Sequence, residues 1–196
     1  MIQRLVTPYL SRLLAGFPVV TLTGPRQSGK TTLARMVFTH KPYVSLEDPD
    51  MQILAREDPR GFLKRFPDGG VLDEVQRAPQ LVSYLQGIVD RDGRMGLFLL
   101  TGSQQFGLLS RITQSLAGRT GFIELLPFSL QELQQAGVAK TELHEQLLRG
   151  GYPPLYDRPV APADWFPAYV RSYIERDVRQ LLEVKDLSLF QRFVRL

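Results

Sequence analysis

Ile2, Leu5, Val6, Tyr9, Leu10, Leu13 and Leu14 recur at helical spacing, with Arg4, Ser11 and Arg12 between them. That period predicts an amphipathic helix, which Gly16 and Pro18 bring to an end. Residues 17–23 then form a short apolar run with Val19, Val20 and Thr21 in it, the pattern of a strand buried on both faces. From there apolar runs and helical stripes alternate. Strands are predicted at 43–46, 70–73, 97–101 and 121–125, and helical segments at 30–40, 50–66 (broken at Pro59), 79–90 and 104–117. Strands that alternate with helices argue for a parallel sheet covered on both faces, an α/β fold. After Leu126 the alternation stops. Helices are predicted at 129–136 and 141–149, then a break at Gly150-Gly151-Tyr152-Pro153-Pro154, then a helical region over 162–183. A boundary is therefore expected near Pro127, between an α/β part (1–126) and a small helical part (127–196). Phe190, Phe193, Val194 and Leu196 give the end of the chain an apolar face without a cap, and the expectation is that the chain is a piece of a longer protein.

Between the first strand and the helix at 30–40 lies Gly24-Pro25-Arg26-Gln27-Ser28-Gly29-Lys30-Thr31. It matches G-x-x-x-x-G-K-[ST] at every fixed position, in the strand–loop–helix setting that the motif needs. The residue types follow from the chemistry of a triphosphate. Many N–H donors must converge on its oxygens, and a loop wrapped round the phosphate supplies them from the backbone. Gly24 and Gly29 allow turns that a side chain would block. The helix that follows directs unpaired N–H groups and the positive end of its dipole at the anion. Lys30 brings a point charge to the β- and γ-phosphates, and the Thr31 hydroxyl has the length to ligate Mg²⁺. Thr32 is a further candidate, toward the α-phosphate. Such a site also needs a carboxylate at a neighbouring strand end to hold Mg²⁺, and Asp73 closes the third predicted strand. Glu74 follows it, placed to orient the water that attacks the γ-phosphate or take its proton. The fourth strand ends in Thr101-Gly102-Ser103-Gln104, where Thr101, Ser103 or Gln104 would meet the γ-phosphate or the water. Arg119, just before the fifth strand, is a candidate to reach the γ-phosphate of a neighbouring subunit; Arg111 and Arg149 are weaker ones.

Composition narrows the class. Cysteine is absent and histidine occurs twice, at His40 and His144, which excludes thiolate metal sites, a disulfide scaffold and the common histidine metal motifs. Asparagine is absent too, so the Asn/Thr-Lys-x-Asp element of guanine recognition is missing, and Asp90-Arg91-Asp92-Gly93 reads as a turn. The 24 Lys and Arg against 20 Asp and Glu leave a net charge of +4, which permits anionic partners without requiring them. Arg171, Arg176 and Arg179 do not form one stripe, and Glu175 and Asp177 dilute them, so nucleic-acid binding is weakly supported. No stretch approaches the ~20 apolar residues of a membrane span.

The ordered set Thr-Gly-Pro-Arg-Gln-Ser-Gly-Lys-Thr-Thr-Leu, Leu-Asp-Glu-Val-Gln, Leu-Thr-Gly-Ser-Gln, Ser-Leu-Ala-Gly-Arg, Pro-Phe-Ser-Leu-Gln-Glu-Leu and Gly-Gly-Tyr-Pro resembles the prokaryotic AAA+-like ATPases that are usually fused to a C-terminal restriction-nuclease-like domain. The resemblance covers nearly the whole chain. It implies a P-loop NTPase three-layer sandwich with sheet order 5-1-4-3-2 and a helical lid, ATP with Mg²⁺, a cytoplasmic setting, and residues beyond 196. Two departures stand out: Gly69-Gly70 shortens the third strand, and the usual sensor Asn is replaced by Ser, Thr or Gln. Three functions follow as expectations: ATP hydrolysis that drives or gates a conformational change, in a homo-oligomer or with a partner protein; a nucleotide-gated switch with little turnover; or a DNA-associated ATPase module.

Overall fold

The computed structural model describes residues 2–103, 112 and 114–173. The first residues of the chain lead into α1 (Thr7–Gly16), followed by β1 (Val19–Thr23), α2 (Lys30–Val37), β2 (Tyr43–Ser45), α3 (Pro49–Glu57) and α4 (Pro59–Lys64). Then come β3 (Gly70–Asp73), a 3₁₀ turn (Val75–Arg77), α5 (Leu81–Asp92), β4 (Phe98–Thr101) and β5 (Thr120–Glu124). The remaining described elements are α6 (Leu130–Gln135), α7 (Leu143–Arg149), α8 (Pro154–Asp157) and α9 (Pro162–Tyr173). The expected break at Pro59 separates α3 from α4. Its proline starts the new helix, whose first turn is capped by Asp58 accepting from Gly61 N–H. Asp90–Asp92 are the last turn of α5, and Gly93 stops it in a left-handed conformation (φ 73°).

All five strands run parallel, in the order β2-β3-β4-β1-β5, the order that the resemblance implies read from the other edge. Every residue of β1, β3 and β4 is buried, because alternate side chains enter two separate cores. Val19, Leu72, Phe98 and Leu100 pack with Phe62, Leu81 and Leu85 on one face. Val20, Leu22, Val71 and Leu99 pack with Leu10, Leu33 and Ala34 on the other. A fully buried Leu or Phe of this kind contributes ~1.5–3 kcal/mol, so a helix on each face is what the two-sided apolar strands require. In β1 the exceptions are Thr21, whose hydroxyl meets that of Thr120 at 3.0 Å, and Thr23, whose hydroxyl donates to the Ile123 carbonyl at 3.3 Å, so both stay satisfied inside the sheet.

The glycine just before β3, a strand as long as β4 and longer than β2, has a steric reason. Gly69 takes φ +79°, and a Cβ there would overlap the Leu97 carbonyl. A larger residue would push β3 away from β4.

The chain divides into two compact units, residues 1–139 with 151–153, and residues 140–150 with 154–196. α6 belongs to the first unit. Its Leu133 is 1% exposed, and Ser129 and Glu132 cap it reciprocally. In the second unit, Tyr156 donates its hydroxyl to the Gly150 carbonyl at 2.6 Å and Trp165 stacks on Tyr169 at 4.8 Å. No helix among the described residues is long and apolar enough to cross a membrane.

Candidate nucleotide site

Parallel strands carry all their C-terminal ends to one edge of the sheet, where ligands of open α/β sheets gather. Here that edge holds Gly24 after β1, Asp73 at the end of β3, and Thr101 with Ser103 at and after the end of β4. The register pairs Leu72 with Leu100 and Leu22 with Thr101. It therefore sets Asp73 beside Thr101, with β4 between the two strands that would contact a nucleotide.

The loop from Gly24 to Gly29 has three residues at positive φ: Gly24 at 143°, Gln27 at 59° and Gly29 at 95°. A Cβ on Gly24 would overlap the Leu125 carbonyl, so the loop leaves the sheet through a gap that only glycine fits. Gln27 has a Cβ and still adopts the left-handed region, at a cost of ~1–3 kcal/mol. Turns of this kind make backbone N–H groups converge into an anion-binding concavity. Ser28 is wholly buried, and its hydroxyl has no hydrogen-bond partner among the described residues. A buried orphan hydroxyl within this loop suits an oxygen of a polyanion. Lys30 is 5% exposed, and its Nζ donates to the carbonyls of Gly24 at 3.0 Å and Pro25 at 2.8 Å. The ammonium thus lies inside the curl of the loop. Thr32 is exposed on α2.

Hydroxyls organise the Asp73 carboxylate. Thr31 Oγ1 donates to Asp73 Oδ2 at 2.8 Å, Tyr43 OH donates to the same oxygen at 2.6 Å, and Thr101 Oγ1 donates to Asp73 Oδ1. Thr101 also accepts from the Glu74 N–H at 3.2 Å. Burial, with the hydrogen bond to Asp73 and its negative charge, pushes the Tyr43 phenol up to about 12, so it stays a protonated donor throughout the neutral range. The Arg35 guanidinium lies 3.9 Å from the centre of the Tyr43 ring and opposes that shift. A single carboxylate beside a threonine hydroxyl, with few other protein oxygens, suits Mg²⁺, which keeps most of its waters. Glu74 follows in a left-handed conformation, φ 57° and ψ 45°, and its carboxylate accepts from the Gln76 side chain.

The structure thus brings together Gly24–Thr31, Asp73, Glu74, Thr101 and Ser103. It does not bring Arg119 to them. Val19 N–H bonds to the Arg119 carbonyl at 3.2 Å, so Arg119 stands at the start of the sheet, a full strand of roughly 17 Å from the loop. Its guanidinium pairs with Asp90 and holds that carboxyl below the usual range. Any contact with a γ-phosphate would have to be on a neighbouring chain. Gln104, Arg111, Arg176, Arg179 and the apolar face at 190–196 lie outside the described residues.

Three further residues shape the site, and of these only Glu132 has a local signal in the sequence, the Ser129-x-x-Glu132 capping box. Tyr43 reaches Asp73 from the adjacent strand. Arg4, ahead of α1, donates Nε to Glu132 Oε1 at 3.1 Å, one Nη to the Ser28 carbonyl of the phosphate loop at 2.8 Å, and the other to the Leu126 carbonyl. Glu132 also accepts from the N–H groups of Leu5 and Ser129 at 2.7 and 2.8 Å. Burial raises its carboxyl, and these N–H groups together with the Arg4 charge outweigh that effect and hold it below the usual range.

The comparisons with known proteins agree with this geometry. The family described as an AAA domain matches residues 16–134, and the chain belongs to that family of P-loop ATPases. A domain of unknown function matches residues 140–196. Uncharacterized proteins of Mycobacterium tuberculosis and Mycobacterium bovis are each 37% identical over 177 residues, 88% of this chain. The match covers 38% of their own length, so the chain spans little more than a third of these curated relatives. Among solved structures, AMPPCP-bound DnaA from Aquifex aeolicus is similar with a TM-score of 0.51 at 15% identity, over 89% of this chain and 63% of that one. A signal transduction ATPase with numerous domains from Pyrococcus horikoshii has a TM-score of 0.50 at 15% identity, over 89% and 32%. At such identity these two likenesses speak to the fold alone.

Proposed function

We propose that the chain binds ATP with Mg²⁺ at the Gly24–Thr31 loop and hydrolyses it, using the cycle to drive or gate a conformational change. The observation that supports this best is the contact of Thr31 with Asp73 at 2.8 Å, because it joins the loop that would hold the phosphates to the carboxylate that would hold the ion. Backbone N–H groups of the loop and the helix start bind the phosphate oxygens. Lys30 exchanges its two carbonyl partners for the β- and γ-phosphates. Thr31 and Asp73 hold Mg²⁺, which when bound offsets charge on the phosphate oxygens. Glu74 accepts the proton of the attacking water as the new O–P bond forms and the bond from the γ-phosphorus to the departing ADP oxygen breaks. Arg119 serves the γ-phosphate of a neighbouring copy once it leaves Asp90.

The test is binding and turnover of ATP and GTP by the full-length protein, with and without Mg²⁺. Lys30→Ala is expected to remove binding. Glu74→Gln is expected to lower turnover at least ~100-fold while leaving ATP affinity within a few-fold. A wild-type protein that binds neither nucleotide overturns the proposal.

A further inference from the structure

The carboxylate of Glu74 has a close companion. Gln76 lies in the 3₁₀ turn directly after it, and the left-handed backbone at Glu74 folds residue 76 back beside residue 74. Gln76 Nε2 donates to Glu74 Oε2 and lies 3.2 Å from Ser103 Oγ. Both N–H groups of the amide are thereby used. The remaining atom, Oε1, is buried and has no partner among the described residues. Reversing the amide would set Oε1 against a carboxylate oxygen, acceptor against acceptor, so Glu74 fixes which way it points.

A water poised for in-line attack presents one lone pair to phosphorus and needs two acceptors for its two protons. Glu74 supplies one. Inside the same cluster, the buried Gln76 Oε1 is an acceptor that lacks a donor, and leaving it so is costly. We propose that Gln76 is a water-positioning residue for ATP hydrolysis, its amide carbonyl accepting one proton of the attacking water while Glu74 accepts the other. This rests on the reading that the chain hydrolyses ATP. In the step, the water oxygen bonds to the γ-phosphorus, the bond to the ADP oxygen breaks, and the released proton passes to Glu74. Gln76 stays neutral and takes no proton. Ser103 acts through Gln76 by helping to hold the amide in place.

The experiment compares wild type, Gln76→Met, Gln76→Glu and Glu74→Gln in the full-length protein. It measures ATP and ADP affinity, turnover from pH 5 to 8, and trapping of ADP with aluminium fluoride. Gln76→Met keeps the length of the side chain and loses its hydrogen bonds. It is expected to lower kcat roughly 10²-fold and to weaken fluoride trapping in parallel, with nucleotide affinity within about twofold. In Gln76→Glu, the new carboxyl once protonated offers an O–H and a carbonyl where the amide had an N–H and a carbonyl. Turnover of that variant is expected to recover as the pH falls toward 5, whereas Gln76→Met gains nothing. A residue that only fills space would give no such recovery. If Gln76→Met fails to bind ADP, the pH recovery of Gln76→Glu decides. Unchanged or faster turnover in Gln76→Met, with Glu74→Gln inactive, overturns the role of Gln76 and leaves hydrolysis standing. Full turnover in Glu74→Gln, or a wild type that neither turns over nor traps fluoride, removes the underlying reading and this role with it.

Discussion

Arg4 offers the sharpest quantitative test, because one side chain joins the start of the chain to the phosphate loop and to α6. Its side chain is 8% exposed and that of Glu132 is 5% exposed. Replacing it by methionine keeps much of the volume and removes the charge. Breaking a buried ion pair costs about 3–5 kcal/mol when a charge is left uncompensated. Here Glu132 keeps the N–H groups of Leu5 and Ser129, which lowers that figure. The Ser28 carbonyl loses a charge-assisted bond in compensation, about 1.5–3 kcal/mol, while Leu126 is 58% exposed and water can take over its carbonyl. The expected loss for Arg4→Met is about 3 kcal/mol, which at a slope of about 2 kcal/mol/M shifts the urea midpoint by about 1.5 M. Trp165, the one tryptophan in the chain, belongs to the second unit, so far-UV circular dichroism must carry the measurement. The double variant Arg4→Met with Glu132→Gln removes the uncompensated charge while keeping a side-chain acceptor beside the Leu5 and Ser129 N–H groups, and should recover part of the loss. A cost below about 1 kcal/mol, or a double variant no more stable than Arg4→Met, would refute the account.

Two further outcomes follow from the same contacts. Because the folded Glu132 carboxyl is held below its ordinary value, its contribution is fully present above the usual carboxylate range of about 4.5 and fades as the pH falls through the depressed value; the gap in urea midpoint between wild type and Glu132→Gln should be widest at neutral pH and shrink toward pH 3, and a constant gap would argue against it. Tyr43→Phe removes one of the three hydroxyls on Asp73, so the Mg²⁺ concentration for half-maximal nucleotide binding should rise several-fold, with affinity measured in a chelator unchanged; an unaltered Mg²⁺ titration would sink that role.

The strands and the phosphate loop were legible in the sequence because both are contiguous patterns. β1 announces itself as an apolar run, and the loop follows within the same dozen residues. Asp73 and Glu74 were legible by their distance from the loop and their place at a strand end. What the sequence hides is lateral. Tyr43 is 30 positions from Asp73 and Arg4 is 128 from Glu132, and neither periodicity nor spacing marks a contact made by the packing of separate elements. Gln76 sits in plain view two residues after Glu74, but its contact with Glu74 depends on the left-handed turn there, which no propensity foretells in a residue with a Cβ. The pairing of Arg119 with Asp90 is of the same hidden kind.

The tripeptide Gly151–Pro153 belongs with the first 139 residues and not with its neighbours in the chain. Gly151 lends its carbonyl to the Phe128 N–H at 2.7 Å, and the Pro153 ring lies 3.8 Å from where Gly29 would carry a Cβ. Anyone wishing to express the AAA portion alone therefore has no clean place to cut after Ala139. A gene stopped there yields a protein whose phosphate loop has lost a wall and whose Phe128 amide has lost its acceptor, so the shortest faithful fragment must run past residue 153.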